Sequence, residues 1–411
     1  MDVLILADFC GAMDGTSNGR FAYLADMLVS AGNSVEIVTG NFFHEQKRHY
    51  DKEPVADGYR ITMLPERAYP KNISLRRFFS HYCWGKTVKT YLRDRKKPDV
   101  IYAAVPPLTA AYCAARYCEK NGVKFVVDVQ DLWPEAFTMV LPFPKLTGVL
   151  LAPLRRMADR LYGIADEVCA VSDTYTERAL SVSRKCKNGH SVFLGTSLKS
   201  FDANVARHAP QDKPTGEIRL GYCGTLGASY DLNCVFESLS LLQKRGVKPP
   251  KFIVMGDGPR RDEFERRAAE KELDVRFTGR LPYAEMCGWL SVCDMVVNPI
   301  THGAAQSIIN KHADYAASGK AVLSTQECEE YRRLVDAYRM GFNCKNGDAE
   351  DLADHLQRLL SDEELRNEMG RNARRCAEEK FDRENSYREL YEAVTGNVPA
   401  TMTERGLAEK Q

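Results

Sequence analysis

The sequence predicts an α/β protein made of two Rossmann-like domains that face each other across a cleft. Three observations predict it. Short apolar runs of strand length alternate with segments of helical spacing along most of the chain. The alternation begins twice, at Val3 and again at Ile218, and each time a glycine-rich loop follows the first strand (Gly11–Arg20, then Gly224–Gly227). Between the two arrays, residues 200–217 are polar and rich in turn formers, as an interdomain linker would be. At 411 residues the chain is too long for one ordinary core and comfortable for two domains.

Composition narrows the function classes. The chain carries 57 Lys and Arg against 56 Asp and Glu, so no global charge argues for a nucleic-acid partner. The spread is uneven. Residues 1–200 hold 27 basic and 21 acidic side chains, a net of +6, and the remainder holds 30 and 35, a net of −5. Thirteen scattered cysteines with no C-x-x-C pair point to reduced thiols in a cytosolic protein, not to a disulfide frame or zinc site. Val3–Ala7 is too short for a signal peptide and runs directly into structure. The longest apolar stretch, Phe137–Leu154, is interrupted by Pro142, Pro144, Lys145 and Pro153, so a soluble or peripheral protein is expected.

In the first array, Val3–Ala7 is a compact apolar strand, the usual opening of a parallel sheet. Its loop brings three glycines, with Asn18 and Gly19 at the entry to helix Phe21–Ala31. Glycine lets backbone approach a ligand, and the helix start faces the crevice. The G-x-G-x-x-G spacing is absent, and a ligand loop and a plain turn both fit. Val35–Thr39 is the second strand; residues 41–72 are polar, with one short strand near Tyr59–Met63. Ser74–Lys97 reads as a helix whose basic residues, Arg76, Arg77, Lys86 and Lys89 among them, face a single acid, Asp94. Such a segment suits an anionic membrane surface; a core-packed helix with a solvated basic face fits equally.

Strands Val100–Ala104 and Lys124–Val129 flank helix Leu108–Asn121. The second runs into Gln130-Asp131-Leu132-Trp133-Pro134, and α/β proteins place ligand contacts just beyond a parallel strand's carboxyl end. An Asp that merely caps a turn is the alternative. Helix Leu146–Ala165, carrying Arg155 and Arg156, is a second candidate for an interfacial element. Strand Glu167–Ser172, helix Asp173–Val182 and strand Ser191–Leu194 close this half.

The second array repeats the grammar. Strand Ile218–Cys223 meets the loop Gly224-Thr225-Leu226-Gly227 and helix Asp231–Arg245. Strand Phe252–Met255 opens onto Gly256-Asp257-Gly258-Pro259 and helix Arg260–Lys271; Val275–Thr278 runs into Gly279-Arg280 and helix Tyr283–Ser291. Beyond residue 349 the segments Ala349–Leu360, Asp362–Lys380 and Phe381–Val394 are helical, and residues 396–411 form a polar tail expected to be disordered.

The stretch Pro299–Thr325 carries the most chemistry. Strands Met295–Val297 and Ala321–Leu323 bracket a small-residue loop and a helix from about Ile309 to Ser318, with Ser307 as its cap and Gly319 as its stop. A helix that starts out of a strand end aims unpaired N–H groups and partial positive charge at the crevice, a site for a phosphate. Lys311 in the first turn adds its charge. Asp314, one turn beyond Asn310, can accept from sugar hydroxyls. An ordinary connection with solvated polar residues is the competing reading.

Three motifs together carry a resemblance: G-D-G-P at 256–259, V-R-F-T-G-R-L-P at 275–282 and S-I-I-N-K with D-Y-A-A-S-G-K-A-V at 307–322. Over residues 1–395 the chain resembles the family 4, GT-B-fold glycosyltransferases of bacterial capsule and O-antigen synthesis. The resemblance implies an N-terminal acceptor domain (1–200), a C-terminal nucleotide-sugar domain (201–380) and a last helix (381–394) that packs back on the first. It implies a retaining transfer, without cofactor or metal, from a UDP-type sugar to a polyprenyl-diphosphate-linked saccharide at the cytoplasmic face of the plasma membrane. Gly279 and Arg280 would border the base, Lys311 with Gly224 and Thr225 the diphosphate, and Asp314 the ribose. Asn18, Gly19, Gln130, Ser307, Ile308 and Asn310 would complete the donor contacts, and Arg76, Arg77, Lys86, Lys89, Arg155 and Arg156 the acceptor and membrane side.

Asp131, Gln306 and Lys311 are the catalytic candidates. The family pairs two glutamates where this chain has Gln306 and Asp314, and often has His where it has Gln130. A nucleotide-sugar 2-epimerase of the same fold and a nucleotide-binding partner without catalysis are the rival functions.

Overall fold

The computed structural model describes the chain except for residues 11–18, 45, 72–73, 141–143, 305–306 and 399–411; the side chains of 138–140 and 144–147 are also outside the described set. The chain divides into two compact units, Met1–Phe193 with Tyr387–Gln411, and Leu194–Ser386.

Unit 1 begins with β1 (Asp2–Leu6), α1 (Arg20–Ser30), β2 (Ser34–Gly40) and the short antiparallel pair β3 (Phe42–Phe43) and β4 (Arg48–His49). Next come β5 (Arg60–Leu64), α2 (Leu75–Asp94), β6 (Val100–Val105), α3 (Leu108–Asn121) and β7 (Lys124–Val129). The half ends with α4 (Glu135–Val140), α5 (Pro144–Ile164), β8 (Glu167–Ala170), α6 (Asp173–Leu180) and β9 (His190–Ser191). Its main sheet is parallel throughout, in the order β5-β2-β1-β6-β7-β8-β9. Helices cover both faces of such a sheet, which is why its strands read as unbroken apolar runs. The order reverses between β1 and β6, so the crevice at their carboxyl ends is where this topology admits a ligand.

Unit 2 runs through α7 (Leu198–His208), β10 (Arg219–Cys223), α8 (Leu232–Lys244), β11 (Lys251–Met255), α9 (Arg261–Glu270) and β12 (Val275–Gly279). It continues with α10 (Tyr283–Ser291), β13 (Met295–Asn298), α11 (Asn310–Ala317), β14 (Ala321–Ser324), α12 (Glu329–Tyr338) and β15 (Gly341–Asn343). Helices α13 (Ala349–Ser361), α14 (Glu363–Cys376) and, after a π-turn at Ala377–Phe381, α15 (Arg383–Ser386) complete it. Its parallel sheet has the order β12-β11-β10-β13-β14-β15 and reverses between β10 and β13. Both units are Rossmann-like α/β layers, each with its own core.

The last described helix, α16 (Arg388–Thr395), returns to unit 1. Leu390 and Val394 are fully buried with Leu24 and Leu28 of α1 in the same core. Removing a leucine or valine side chain from water stabilises by about 1.5–3 kcal/mol, so this short helix is fastened by packing and not by its own propensity.

Several sequence expectations need correction. The proposed linker at 200–217 holds α7, capped by Ser197, whose hydroxyl accepts from the Ser200 N–H. Leu198 and Phe201 are buried and Val205 continues the same face half-buried, a short stripe that starts before the polar segment and is outnumbered by polar neighbours. Helix α12 and strand β15 lay unread between residues 325 and 349. The segment 362–380 breaks at Cys376 into the π-turn, and 381–394 is two short helices, not one. The tail beyond 398 lies outside the described residues. No helix among the described residues is long and apolar enough to cross a membrane.

Candidate active site

At the carboxyl end of β10 the chain turns through Gly224 and Thr225, and at the end of β11 through Gly256. A side chain at Gly256 would place its Cβ 1.8 Å from the Gly224 carbonyl oxygen, so only glycine lets these two loops stack. Gly224 itself has φ +146, and a Cβ there would lie 2.7 Å from Lys311 Nζ. The loop after β13 leads to α11, whose N-cap is Ile309. There His312 Nδ1 accepts the Ile309 N–H at 3.2 Å, and Ser307, expected to cap, instead offers its carbonyl to Gln326. Ile308 is buried as the anchor of this turn, while Asn310 is exposed at the helix start.

Lys311 sits in the first turn of α11 with only 8% of its surface exposed. Its Nζ has no hydrogen-bond partner among the described residues and lies 3.8 Å from the ring centroid of Tyr230 and 4.4 Å from that of Tyr222. Burial brings its ammonium down to about 7. An amine buried beside a helix start and glycine backbone is built to receive an anion. One turn on, Asp314 accepts from the Tyr283 hydroxyl at 2.8 Å, and that hydroxyl shares a 2.7 Å bond with Thr196. Burial pushes Asp314 up to about 6, against the opposing pull of Tyr283 and Arg383. Gly279 ends β12 in the left-handed region at φ +75, and Arg280 beside it is exposed. Lys311, Asp314 and Gly224 therefore share one neighbourhood of unit 2. Thr225 lies exposed in the same loop as Gly224. Gln306 lies outside the described residues.

The carboxyl ends of the unit 1 strands hold a second cluster. Asp8 follows β1 and Glu66 follows β5, and both are buried. A Cβ at Gly40, after β2, would fall 2.4 Å from Asp8 Oδ1 and 2.5 Å from Glu66 Oε2, so the two carboxyls converge on that glycine. Burial and the Glu66 carboxyl hold Asp8 well above the usual carboxylate range, which is the signature of two acids sharing one proton. Glu66 also accepts from the Ser80 hydroxyl at 2.8 Å. Arg77 stands over three aromatic faces, 4.8 Å from Trp133, 5.4 Å from Phe9 and 5.8 Å from Tyr69, and its Nε meets His81 Nε2 at 3.4 Å. Arg77 is thus turned into the domain, which corrects its place among the surface cations of α2: the aromatic faces hold the guanidinium inward.

Beside this cluster, burial raises Asp131, while the Trp133 side chain and the Leu132 N–H work against the shift. Gln130 donates its amide to Asp128, which in turn is paired in bidentate fashion with Arg20 at 3.0 Å on each arm. Arg20 and Asp128 are both buried, so Gln130 closes a structural ion pair. Gly19 is the N-cap of α1; Asn18 lies outside the described residues. Arg76, Lys86, Lys89, Arg155 and Arg156 are exposed. Next to them in sequence stand exposed apolar side chains, Leu75, Phe79 and Tyr82 on α2 and Val149 and Leu150 on α5.

Sequence reasoning missed Asp8, Glu66, Tyr222, Tyr230 and Tyr283. The rule that pointed to Asp131, a polar residue just past a parallel strand, applies equally to Asp8. The tyrosines gave no such signal, because a tyrosine beside an apolar run reads as core.

Residues 206–376 match the family model described as glycosyl transferases group 1, and residues 15–185 that of the glycosyl transferase 4-like domain. A Pseudomonas aeruginosa protein described as "Probable glycosyltransferase WbjE" is 24% identical over 280 residues, 65% of this chain and 67% of that protein. Among solved structures, HepE of Anabaena in complex with UDP has a TM-score of 0.69 at 17% identity, covering 97% of this chain and 100% of that one. WaaG, a glycosyltransferase involved in lipopolysaccharide biosynthesis, has a TM-score of 0.64 at 15% identity, covering 96% of this chain and 100% of that one. Fold and family models together define a glycosyltransferase of GT-B fold. Within that class, the chain combines a glycosyl transferase 4-like domain with a glycosyl transferases group 1 domain.

Proposed function

We propose that the protein is a retaining, metal-independent glycosyltransferase that moves a sugar from a UDP-linked donor to a polyprenyl-diphosphate-linked saccharide in bacterial surface polysaccharide synthesis. The observation that carries this reading is the buried, unpartnered amine of Lys311 at the head of α11, against Gly224. A leaving diphosphate gains most from fixed donors in a desolvated site, and the helix N–H groups with Lys311 supply them without a metal. Asp314 takes the ribose, and Gly279 with Arg280 borders the base. Asp131 is the candidate proton acceptor, though the leaving phosphate can take the acceptor proton itself.

Three likenesses support the chemistry: HepE was solved with UDP and with UDP-glucose, WaaG acts in lipopolysaccharide biosynthesis, and the WbjE likeness is to a further glycosyltransferase. The membrane part of the reading rests on α2 and α5. Exposed Leu75, Phe79, Val149 and Leu150 stand among exposed Arg76, Lys86, Arg155 and Arg156, the mixture an interfacial helix needs to dock on anionic lipid.

Lys311→Ala tests the donor site. Losing a charge-assisted contact costs roughly 1.5–3 kcal/mol, so UDP should bind about ten- to a hundredfold more weakly by calorimetry, with uridine little changed. Equal losses for UDP and uridine would remove Lys311 from the phosphate.

A further inference from the structure

The Lys311 amine does not wait in open space. Its Nζ rests on the faces of Tyr230 and Tyr222, two rings that meet edge to face at 5.8 Å and 68°. Each ring is fixed by its own means. The Tyr222 hydroxyl donates to the Thr225 carbonyl at 2.9 Å, and the Tyr230 backbone bonds to Gly227 and bridges to Ile300. On the third side stands Gly224, with no side chain to interpose. A cation on an aromatic face keeps part of its lost hydration, yet leaves every N–H free for a stronger acceptor.

We propose that Tyr222 and Tyr230 are positioning residues for donor binding: their faces hold the Lys311 amine in waiting, and it leaves them when a diphosphate arrives. This rests on the reading of Lys311 as the phosphate ligand. The consequence is a proton linkage. An amine at about 7 is only half charged at neutral pH, and an arriving diphosphate draws it fully into the ammonium form. UDP binding should therefore take up a proton above pH 7 and weaken as pH rises through that value. Other titratable groups face this amine. The Cys223 thiol is pushed up to about 12 and His312 is held neutral by burial, so neither changes charge near 7; Asp314 titrates at about 6. Uridine, which lacks the diphosphate, isolates the Asp314 contribution.

The experiment is calorimetry of the full chain with UDP, and with inorganic pyrophosphate as a base-free probe, from pH 5.5 to 8.5 in buffers of different ionisation enthalpy. The terminal phosphate of the ligand itself titrates at about pH 6, so Lys311→Met is the reference. The parent should show an added proton uptake and inflection near pH 7 with UDP that Lys311→Met lacks, and neither should show it with uridine. Tyr230→Leu leaves the amine buried with only the more distant Tyr222 face, so its inflection should move to lower pH and its UDP affinity at pH 7.5 should fall several-fold. Tyr230→Phe keeps the face and should keep the parent profile. Retained uridine binding certifies that each variant is folded. An inflection in Tyr230→Leu that stays in place or moves up overturns the cradle, and so does a Phe variant as impaired as Leu. If Lys311→Met weakens UDP while Tyr230→Leu leaves the pH profile alone, only the cradle falls. If the parent binds neither UDP nor pyrophosphate, or Lys311→Met changes neither, the phosphate reading falls with it.

Discussion

In unit 2 the strand ends set one buried amine, Lys311, beside glycine backbone, with no hydrogen-bond partner among the described residues, whereas in unit 1 they crowd several charged and aromatic groups together, the Asp8 oxygens likewise without a hydrogen-bond partner among the described residues. Asp8 leans on Glu66, Arg77 lies among Phe9, Tyr69 and Trp133, and Arg20 grips Asp128. The same topology thus gives one end where glycine backbone lies beside a lone amine and one end crowded with the protein's own charged groups. A buried unpaired amine costs folding energy and persists where a ligand repays it. A buried pair costs less and shapes a surface. The comparison teaches that one end isolates a single buried charge beside open backbone and the other gathers several charges against aromatic faces.

Breaking the paired end should do the greater damage. Arg20→Met strands Asp128 with no exposure to solvent, so unit 1 should lose about 3–5 kcal/mol in denaturant unfolding. The double variant Arg20→Met/Asp128→Leu should regain most of it. Full stability in the single variant would mean the pair is not what seats α1 on β7.

A smaller effect is expected at Asp314. Asn keeps the shape but not the charge, and the difference between charged and neutral acceptors is about 1 kcal/mol, some fivefold in affinity for ribonucleotides over 2′,3′-dideoxy ones. Because burial sets Asp314 at about 6, the parent's affinity for uridine should decline as pH falls through 6, while the Asn variant stays flat. Identical profiles would detach Asp314 from the ribose.

Asp8 sharpens the contrast through pH alone. Its folded form holds a proton that the unfolded chain releases above about pH 4, so the folded state binds more protons and stability declines as pH rises beyond that. Asp8→Asn should flatten this slope in denaturation midpoints measured between pH 5 and 8. The neighbouring groups, Glu66, Arg77, His49 and His81, stay in place as the control. An unchanged slope would mean the acids do not share a proton.

The least change in stability should come from the outer face of unit 1. Replacing exposed Arg76, Lys86 and Lys89 by Glu should alter folding little, yet abolish sedimentation with anionic liposomes at low salt. Parent protein that ignores such liposomes would leave α2 as a solvated helix.

The strand–helix rhythm was legible because parallel strands are buried on both faces and advertise it as unbroken apolar runs, from Val3 through Val296. The place of Lys311 in the first turn of α11 was legible because a strand, a small-residue loop and a helix with a glycine stop could be read around it. What stayed hidden depends on three-dimensional convergence. Asp8, Gly40 and Glu66 are unremarkable apart; only the order β5-β2-β1 sets their strand ends side by side. Arg77 read as a surface cation because helical spacing tells which residues share a face but not that aromatic rings from Phe9 and Trp133 wait on it. Helix α7 hid for the opposite reason, since only Leu198 and Phe201 of its eleven residues are buried and the first of them lies outside the polar segment.

The return of α16 has a bearing on how the chain is born. Tyr387, Leu390 and Val394 belong to a core whose other members are nearly all made before residue 193. During synthesis, unit 1 must wait for roughly 190 further residues, about 10–40 s at ordinary translation speeds, with the α1 face that they cover still bare. Unit 2 is contiguous and can close while that wait lasts. The half translated first is therefore the half finished last, and it is the one a chaperone would have to hold.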